Sequence, residues 1–366
     1  MNKLATVSGA PALAAGGTTA LALAAALAAA AALALAAPAS AADTVTISGR
    51  AYAFNHMSTY LSGATIKVRE IPGLSATTDA NGDYVLAVPD DTNVTPYIDP
   101  PAGYNEIDLQ TFHTRGEDIE NANFQTPADL EYNGLAAILS VPIDQQTGRP
   151  AQCVIVTTAS ARNVRGVDYE TFHERTPHGV PGATSTETPA LDGPIYFNEN
   201  VIPDPTATAT SEDGGIVWAV VPAGTYRIET SSPDTRFASF LATCESGRIV
   251  NANPPWGAYE LVGDEQPLGA SIVAASVTGT DVARGGGKRK VAITVDAGER
   301  TRVNAVLRKG GKRVGHVRTD IDPGTRTVKL PVRHHAGKGK AKLSIRLRDS
   351  AKEKVESNRE VVLPRP

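Results

Sequence analysis

A polar turn that runs straight into an alternating strand most limits how this chain can fold. Residues 77–89 read TTDANGDYVLAVP, in which an Asn-Gly pair tolerates the positive φ of a tight turn and a proline ends the strand. A similar segment, TSEDGGIVWAVVP, covers residues 210–222. The two segments share a threonine, a glycine and a proline at a spacing of 133 residues, Thr77/Thr210, Gly82/Gly215 and Pro89/Pro222. The repeat predicts two related β modules in tandem.

Period-two alternation with frequent Gly and Pro predicts an all-β protein of tandem β-sandwich modules. Ala64, Ile66 and Val68 alternate with polar residues, as in a half-buried strand. A length of 366 residues favours roughly two to three domains. The boundaries predicted from these patterns are a signal peptide at 1–41, a first module at 42–130, a second, enlarged module at 131–265 and a basic third module at 270–366.

The N-terminal segment is typical of an export signal. An apolar run extends from Ala20 to Ala37, and Ala39-Ser40-Ala41 fits the small-residue cleavage rule. Cleavage after Ala41 predicts a secreted, extracellular or cell-envelope-associated protein with no membrane span afterwards. An uncleaved N-terminal anchor is the alternative, because about 20 apolar residues can span a bilayer.

Several motifs in the first module occur in the order seen in a known family. They are SGR at 48–50, LSGATIKV at 61–68, TTDANGDY at 77–84 and Val88-Pro89. Over about 44–110 the chain resembles the carboxypeptidase regulatory-like (transthyretin-like) domain, although residues 90–100 are inserted before Gly103-Tyr104. The resemblance implies a small seven-stranded sandwich that binds or supports and does no chemistry. The second module reads as a longer copy.

Charge divides the chain into an acidic body and a basic end. Residues 271–366 contain 23 Lys and Arg against 9 Asp and Glu, whereas residues 1–270 contain 12 against 30. In the basic end, several strand-like segments alternate basic or polar residues with apolar ones. This pattern resembles a bacterial immunoglobulin-like domain. Anionic cell-envelope polymers or phospholipid head groups are the expected partners, and export argues against nucleic acid. A merely solvated surface and docking onto the acidic body of the same chain are the alternatives.

Two cysteines, Cys153 and Cys244, both fall in the second module. Export permits a disulfide between them, closing a loop of 91 residues. Two buried free thiols are the alternative.

A histidine-rich segment in the second module is the strongest candidate for chemistry. His173 and His178 are five residues apart and Pro177 interrupts any helix, which excludes the HExxH metalloprotease pattern. A non-helical metal loop of His173, His178 and a carboxylate such as Glu174 or Glu199 stays open beside a loop of hydrogen-bonded histidines. We expect no catalytic residue, no metal and no cofactor, and the candidates for a metal site are His173, His178 and Glu199.

Aromatic residues suggest where a sugar could stack in the second module. Trp218 shares a predicted strand face with Ile216 and Val220 and is expected in the core, whereas Trp256 and Tyr196 are the ligand-contact candidates. The predicted function is a non-catalytic secreted or envelope-associated binding or adhesion protein, with carbohydrate or an envelope polymer as ligand. A structural spacer and a metal-dependent hydrolase with its site in the second module are the alternatives.

Overall fold

A computed structural model describes residues 43–164, 171, 177–269, 272–285 and 288–365. The predicted signal peptide at 1–41 lies outside these residues. The described part is all-β, which confirms the predicted fold class, and it also contains helix α1 (Asp129–Ile138) and a 3-10 turn at Arg162–Val164. No helix among the described residues is long and apolar enough to cross a membrane.

The first sandwich places β1 against β5, β2 and β10 in one sheet and β3 against β4 and β7 in the other. Ala64, Ile66 and Val68 are buried and their polar neighbours are not, as the alternation predicts. Its strands are β1 (Thr44–Ala53), β2 (His56–Tyr60), β3 (Thr65–Val68), β4 (Ser75–Thr77), β5 (Asp83–Pro89), β6 (Asn93–Val94), β7 (Pro96–Asp99), β8 (Ile107–Asp108), β9 (Phe112–His113) and β10 (Phe124–Thr126).

The second sandwich is built around the long buried strand β11, which pairs with β15, β19 and β20, while β16 pairs with β12, β17 and β18. Its strands are β11 (Cys153–Ser160), β12 (Thr184–Thr188), β13 (Ile195–Phe197), β14 (Pro203–Asp204), β15 (Gly215–Val221), β16 (Gly224–Ser231), β17 (Arg236–Phe237), β18 (Phe240–Cys244), β19 (Ile249–Ala252) and β20 (Ala258–Leu261).

A buried threonine marks the same corner in both sandwiches. The hydroxyl of Thr78 accepts the backbone N–H of Ala64 at 2.9 Å, and the hydroxyl of Thr210 accepts that of Ala183 at 2.9 Å. The structural counterpart of Thr210 is therefore Thr78 and not Thr77, so the spacing at this corner is 132 residues.

The glycines of the two turns also correspond at a spacing of 132 residues, one fewer than the sequence repeat predicts. Gly82 and Gly214 both have positive φ (76° and 78°) and both approach a backbone carbonyl of the neighbouring strand, that of Ala51 and of Ala159. A side chain at either glycine would collide with that oxygen. The predicted equivalence of Gly82 with Gly215 is wrong by one position.

A β-bulge in β15 explains the displacement. Ile155 pairs with Trp218 and Cys153 pairs with Val221, so β15 has one residue more than β11 over this interval. Beyond the bulge, equivalent residues of the two sandwiches are again 133 positions apart. Pro89 and Pro222, which end the two strands, therefore correspond. The bulge also leaves Val220 exposed at 43% and buries Val221, so the prediction that Val220 shares the inner face with Trp218 is wrong.

Helix α1 straddles the predicted boundary between the first two modules. Tyr132, Leu135, Ala136 and Leu139 follow helical spacing, and Tyr132 and Ala136 are buried. The Glu131 carboxylate accepts the backbone N–H of Ala128 at 3.3 Å, which supports the first turn.

Strand pairing and side-chain packing join the first two sandwiches across that boundary. Strand β19 pairs in parallel with β8 at Val250 and Asp108. The core of the first sandwich also includes Val154, Phe197 and Val217 from the second. One hydrophobic core therefore includes residues of both sandwiches, while the second sandwich also has a core of its own around Trp218 and Phe240.

The third sandwich is one seven-stranded sheet that folds over on itself, in the order β21-β22-β25-β24-β23-β26-β27. The two halves meet at Gly315, where an added Cβ would lie 2.8 Å from the backbone carbonyl oxygen of Pro331, so only glycine fits without a shift of the strand. Its strands are β21 (Ala275–Gly285), β22 (Lys288–Ala297), β23 (Thr301–Lys309), β24 (Lys312–Ile321), β25 (Gly324–Val332), β26 (Gly339–Arg348) and β27 (Lys354–Leu363).

Candidate functional site

The outer face of β24, β23, β26 and β27 is strongly cationic. The inward residues of β23, Val303, Ala305 and Leu307, are fully buried, so the residues that alternate with them point to solvent. The outward positions of these four strands include three carboxylates, Asp320, Glu356 and Glu360, and nine cations, Arg302, Arg308, Arg313, Arg318, Lys340, Lys342, Arg346, Arg348 and Lys354.

Three of these cations form a straight line across adjacent strands. Arg313 of β24 lies directly opposite Arg308 of β23, and Arg308 lies directly opposite Lys342 of β26. We call these residues the cationic row. All three are exposed, and no carboxylate among the described residues lies within ion-pair distance of any of them. Like charges directly opposite in an antiparallel pair destabilise a sheet, so this arrangement opposes stability.

Three of the other outward cations, Arg302, Lys340 and Arg346, are paired with carboxylates instead. Arg302 donates two hydrogen bonds to Asp320, at 2.7 and 3.0 Å, and this pairing lowers the pKa of the Asp320 carboxyl. Lys340 pairs with Glu360 at 2.8 Å, and the hydrogen bond raises the pKa of Lys340. The contrast leaves the cationic row as a group of uncompensated charges.

The cationic row has the charge and the spacing to attract anions. Strands lie about 4.8 Å apart, so the three side chains present positive charge at a regular spacing of that order. Guanidinium and ammonium groups are the usual partners of phosphate and carboxylate oxygens. The row therefore suits an extended ligand that carries repeated anionic groups.

The predicted histidine site is only partly described. His173 and Glu174 lie outside the described residues. Nε2 of His178 lies 3.1 Å from Oδ1 of Asp213, whose other oxygen accepts the backbone N–H of Gly215 at 3.0 Å. Glu199 is exposed in the turn after β13. Over the described ranges, no three His, Cys, Asp or Glu side chains come together in a metal-binding group.

Asp213 is the contact partner of His178 that sequence reasoning missed. It lies in the Asp-Gly-Gly turn, where the sequence indicates a turn and nothing more. Its 9% exposure and its contact with His178 depend on how residues 177–179 pack beside that turn. The repeat itself carries no signal for this contact, because His178 and Asp213 are 35 residues apart in the sequence.

The aromatic candidates are separated rather than gathered. Tyr196 is 5% exposed and its hydroxyl accepts the backbone N–H of Ser185 at 3.1 Å, so its ring is not available for stacking on a sugar. Trp218 is buried, as predicted, and its Nε1 donates to Glu187 at 3.0 Å.

Trp256 lies where the first two sandwiches meet. It is half-buried, its Nε1 donates to the backbone carbonyl of Glu120 at 2.8 Å, and Phe112 and Tyr259 meet it edge to face at 5.3 and 6.1 Å. Sugar contact at Trp256 stays a prediction.

Cys153 and Cys244 form a disulfide that joins β11 to β18, with Cα atoms 5.5 Å apart. The predicted bridge is confirmed, and the alternative of two free thiols is wrong.

Comparison with known proteins gives no family. No family model matches the chain and no curated protein matches it, so the carboxypeptidase regulatory-like resemblance stays a prediction. Similar solved structures include a DUF3823 family protein from Bacteroides ovatus, with 12% identity over 58% of this chain and 100% of that one, and a TM-score of 0.20. A streptococcal ancillary pilin shows 8% identity over 88% of this chain and 96% of that one, with a TM-score of 0.19.

A tetra-tandem repeat from the extending region of a large adhesion protein is also similar, with 11% identity over 88% of this chain and 74% of that one, and a TM-score of 0.20. At TM-scores near 0.2 these likenesses carry no argument about function.

Proposed function

We propose that the protein is a non-catalytic, exported binding protein whose third sandwich holds it to an anionic cell-envelope polymer. The observation that carries this proposal is the cationic row, in which three adjacent strands place Arg313, Arg308 and Lys342 directly opposite one another. Repulsion among these three cations destabilises the sheet, and an anion bound to the row would offset that repulsion. The N-terminal segment at 1–41, which has the features of an export signal, supports the envelope as the setting.

The third sandwich contacts the acidic body of the same chain through residues outside the cationic row. The third sandwich hydrogen-bonds to the rest of the described chain through Ser276, which donates to Asp91 at 2.6 Å, and through Glu299, which accepts from Arg227 at 2.9 Å. Arg115 also donates to the carbonyl of Val273 at 3.0 Å. None of these hydrogen bonds involves the cationic row. The row stays exposed and open to an external partner.

Replacing Arg308, Arg313 and Lys342 together by serine tests this proposal. Each cation near an anionic surface contributes about 1 kcal/mol, so the triple variant should bind a poly(glycerol phosphate) polymer about 100-fold more weakly. Binding of the unaltered protein should also weaken steeply as the salt concentration rises, because exposed charges are screened. The measurement is a binding isotherm at several salt concentrations, with an uncharged glucan as the comparison polymer.

A matched control removes the same charge elsewhere. Lys290, Arg326 and Lys329 are exposed on β22 and β25, in the other half of the third sandwich. Their triple serine variant has the same net charge as the test variant and should retain most of the binding. Equal losses in both variants would show that net charge alone drives binding. Salt-independent binding of the unaltered protein would also contradict a role for the cationic row.

A further inference from the structure

A mostly apolar cavity of about 180 Å³ lies between the first and second sandwiches. Helix α1 provides one wall and the strands β11, β15 and β19 provide the other, through Leu135, Ala136, Val154, Val217 and Ile249. A cavity of this size is similar to engineered apolar cavities of about 150 Å³ that bind a benzene molecule. It can therefore hold one small ring or a short branched chain.

Two buried polar atoms in the cavity wall have no partner among the described residues. They are the hydroxyl oxygen of Tyr132, on α1, and Oδ1 of Asn251, on β19. Each residue is 7% exposed. A buried polar group without a hydrogen bond costs about 1–3 kcal/mol, so two of them beside one cavity are costly unless something there pairs with them.

The wall carries a third polar feature at His178 and Asp213, which contact each other at 3.1 Å and also line the cavity. The side chain of His178 is 29% exposed, whereas Asp213 is 9% exposed. The cavity thus combines an apolar body with polar groups contributed by α1 and by the second sandwich. That distribution is typical of small-molecule sites, in which apolar walls supply affinity and a few polar groups fix orientation.

We propose that this cavity binds a small, uncharged molecule made of one ring or a short branched chain with a single hydroxyl group. The apolar part lies against α1 and β15, and the hydroxyl pairs with Tyr132 or Asn251. Because Phe54 and Ile107 of the first sandwich also line the cavity, a bound molecule contacts both sandwiches. This site is separate from the cationic row and does not depend on the proposed envelope polymer.

Phenol and benzene are suitable probes because they differ by one hydroxyl group. For a ligand of about seven heavy atoms we expect a Kd on the order of 0.1–1 mM for phenol, measured by protein NMR titration. The resonances that shift should be those of α1, β11, β15 and β19. Absence of saturable shifts there with either probe would show that the cavity holds water only and would overturn the proposal.

Variants separate the apolar and polar parts of the site. Ala136→Leu places three more carbon atoms in the cavity and should abolish binding of both probes, whereas Leu130→Met, at an 85% exposed position on the same helix, should leave it unchanged. Leu135→Phe fills the cavity from its half-buried edge and replaces the first variant if Ala136→Leu does not fold. Binding that survives in a folded filled variant contradicts the assignment.

Removing the polar groups tests the ligand class. Tyr132→Phe or Asn251→Ala should weaken phenol binding about 5-fold, the loss of one hydrogen bond, and should leave benzene binding unchanged. Equal affinities for phenol and benzene, unaffected by both variants, would show a purely apolar site instead. The triple serine variant of the cationic row should bind phenol normally, so failure of either proposal leaves the other testable.

Discussion

Arg227 of the second sandwich and Glu299 of the third form a buried ion pair between the two, with Nε of Arg227 2.9 Å from Oε1 of Glu299. Arg227 is fully buried and Glu299 is 4% exposed. The other oxygen of Glu299 accepts a hydrogen bond from the Ser350 hydroxyl at 2.7 Å, and Asp349 lies 3.7 Å from the guanidinium. Burial lowers and the two carboxylates raise the pKa of Arg227, and the carboxylates prevail.

Arg227→Met should lower the free energy of unfolding by about 3–5 kcal/mol, because it leaves the Glu299 carboxylate buried without its partner. Arg302→Met, which breaks the exposed pair with Asp320, is the control and should cost about 0–1 kcal/mol. Urea denaturation followed by circular dichroism measures both. Similar losses in the two variants would show that burial does not distinguish these pairs. The double variant Arg227→Met, Glu299→Leu should lose less than the sum of the single losses.

Asp349 should make stability depend on pH. Burial, opposed by Arg227, raises the pKa of its carboxyl to about 7 in the folded protein, whereas the unfolded chain has its ordinary value of 3.8. Between about pH 4 and pH 7 the folded state holds the proton more tightly, so the stabilisation is present at the acidic end and is lost as the pH rises through 7.

Asp349→Asn should remove that dependence, which amounts to about 2–4 kcal/mol across this interval. Denaturation midpoints from pH 4 to pH 8 at constant ionic strength measure it. Asp322→Asn, at an exposed position of the same sandwich, should retain the slope of the unaltered protein. An unchanged slope in Asp349→Asn would assign the pH dependence to other groups.

Gly82 and Gly63 form a matched pair for backbone geometry. Both have φ near 75°, but an added Cβ at Gly82 would lie 2.3 Å from the carbonyl oxygen of Ala51, whereas nothing lies within 4 Å at Gly63. Gly63→Ala should cost about 1–2 kcal/mol for the left-handed backbone alone. Gly82→Ala should cost roughly 1–3 kcal/mol more, since the strand must move. Equal thermal denaturation midpoints would contradict the close approach.

Loss of the disulfide should destabilise the second sandwich. Replacing both Cys153 and Cys244 by alanine releases a constraint across 91 residues. The variant should lose about 4 kcal/mol of stability, because its unfolded chain regains the entropy that the bridge removes. Reduction of the unaltered protein by dithiothreitol should lower the denaturation midpoint similarly, and it should have no effect on the double variant. A midpoint unaffected by both treatments would show that the bridge does not support the fold.

Local patterns predicted the parts of the fold that depend on neighbours in sequence. The alternation of Ala64, Ile66 and Val68 placed these residues inside because side chains of a strand point to opposite faces in turn. The turn at Gly82 followed from the positive φ that Asn-Gly tolerates. The disulfide was one of two outcomes that the sequence allowed.

Local sequence patterns did not predict the helix and the β-bulge, which depend on contacts between distant segments. Helix α1 is ten residues long, which is too short for Tyr132, Leu135, Ala136 and Leu139 to give a sustained helical period in the sequence. An isolated helix of that length is marginal, so packing between the two sandwiches stabilises it. The bulge before Val221 adds one residue to β15 alone, which shifted the repeat by one and exposed Val220.

The sequence by itself determined that this chain forms β strands, where several of its turns fall and that its positive charge is concentrated at one end. These are properties of neighbouring residues. Tertiary structure alone decided that Arg313, Arg308 and Lys342 lie in one row and that Tyr132 and Asn251 line one cavity. Strand register and the packing of distant segments set those positions, because they are fixed by contacts between residues far apart in the chain.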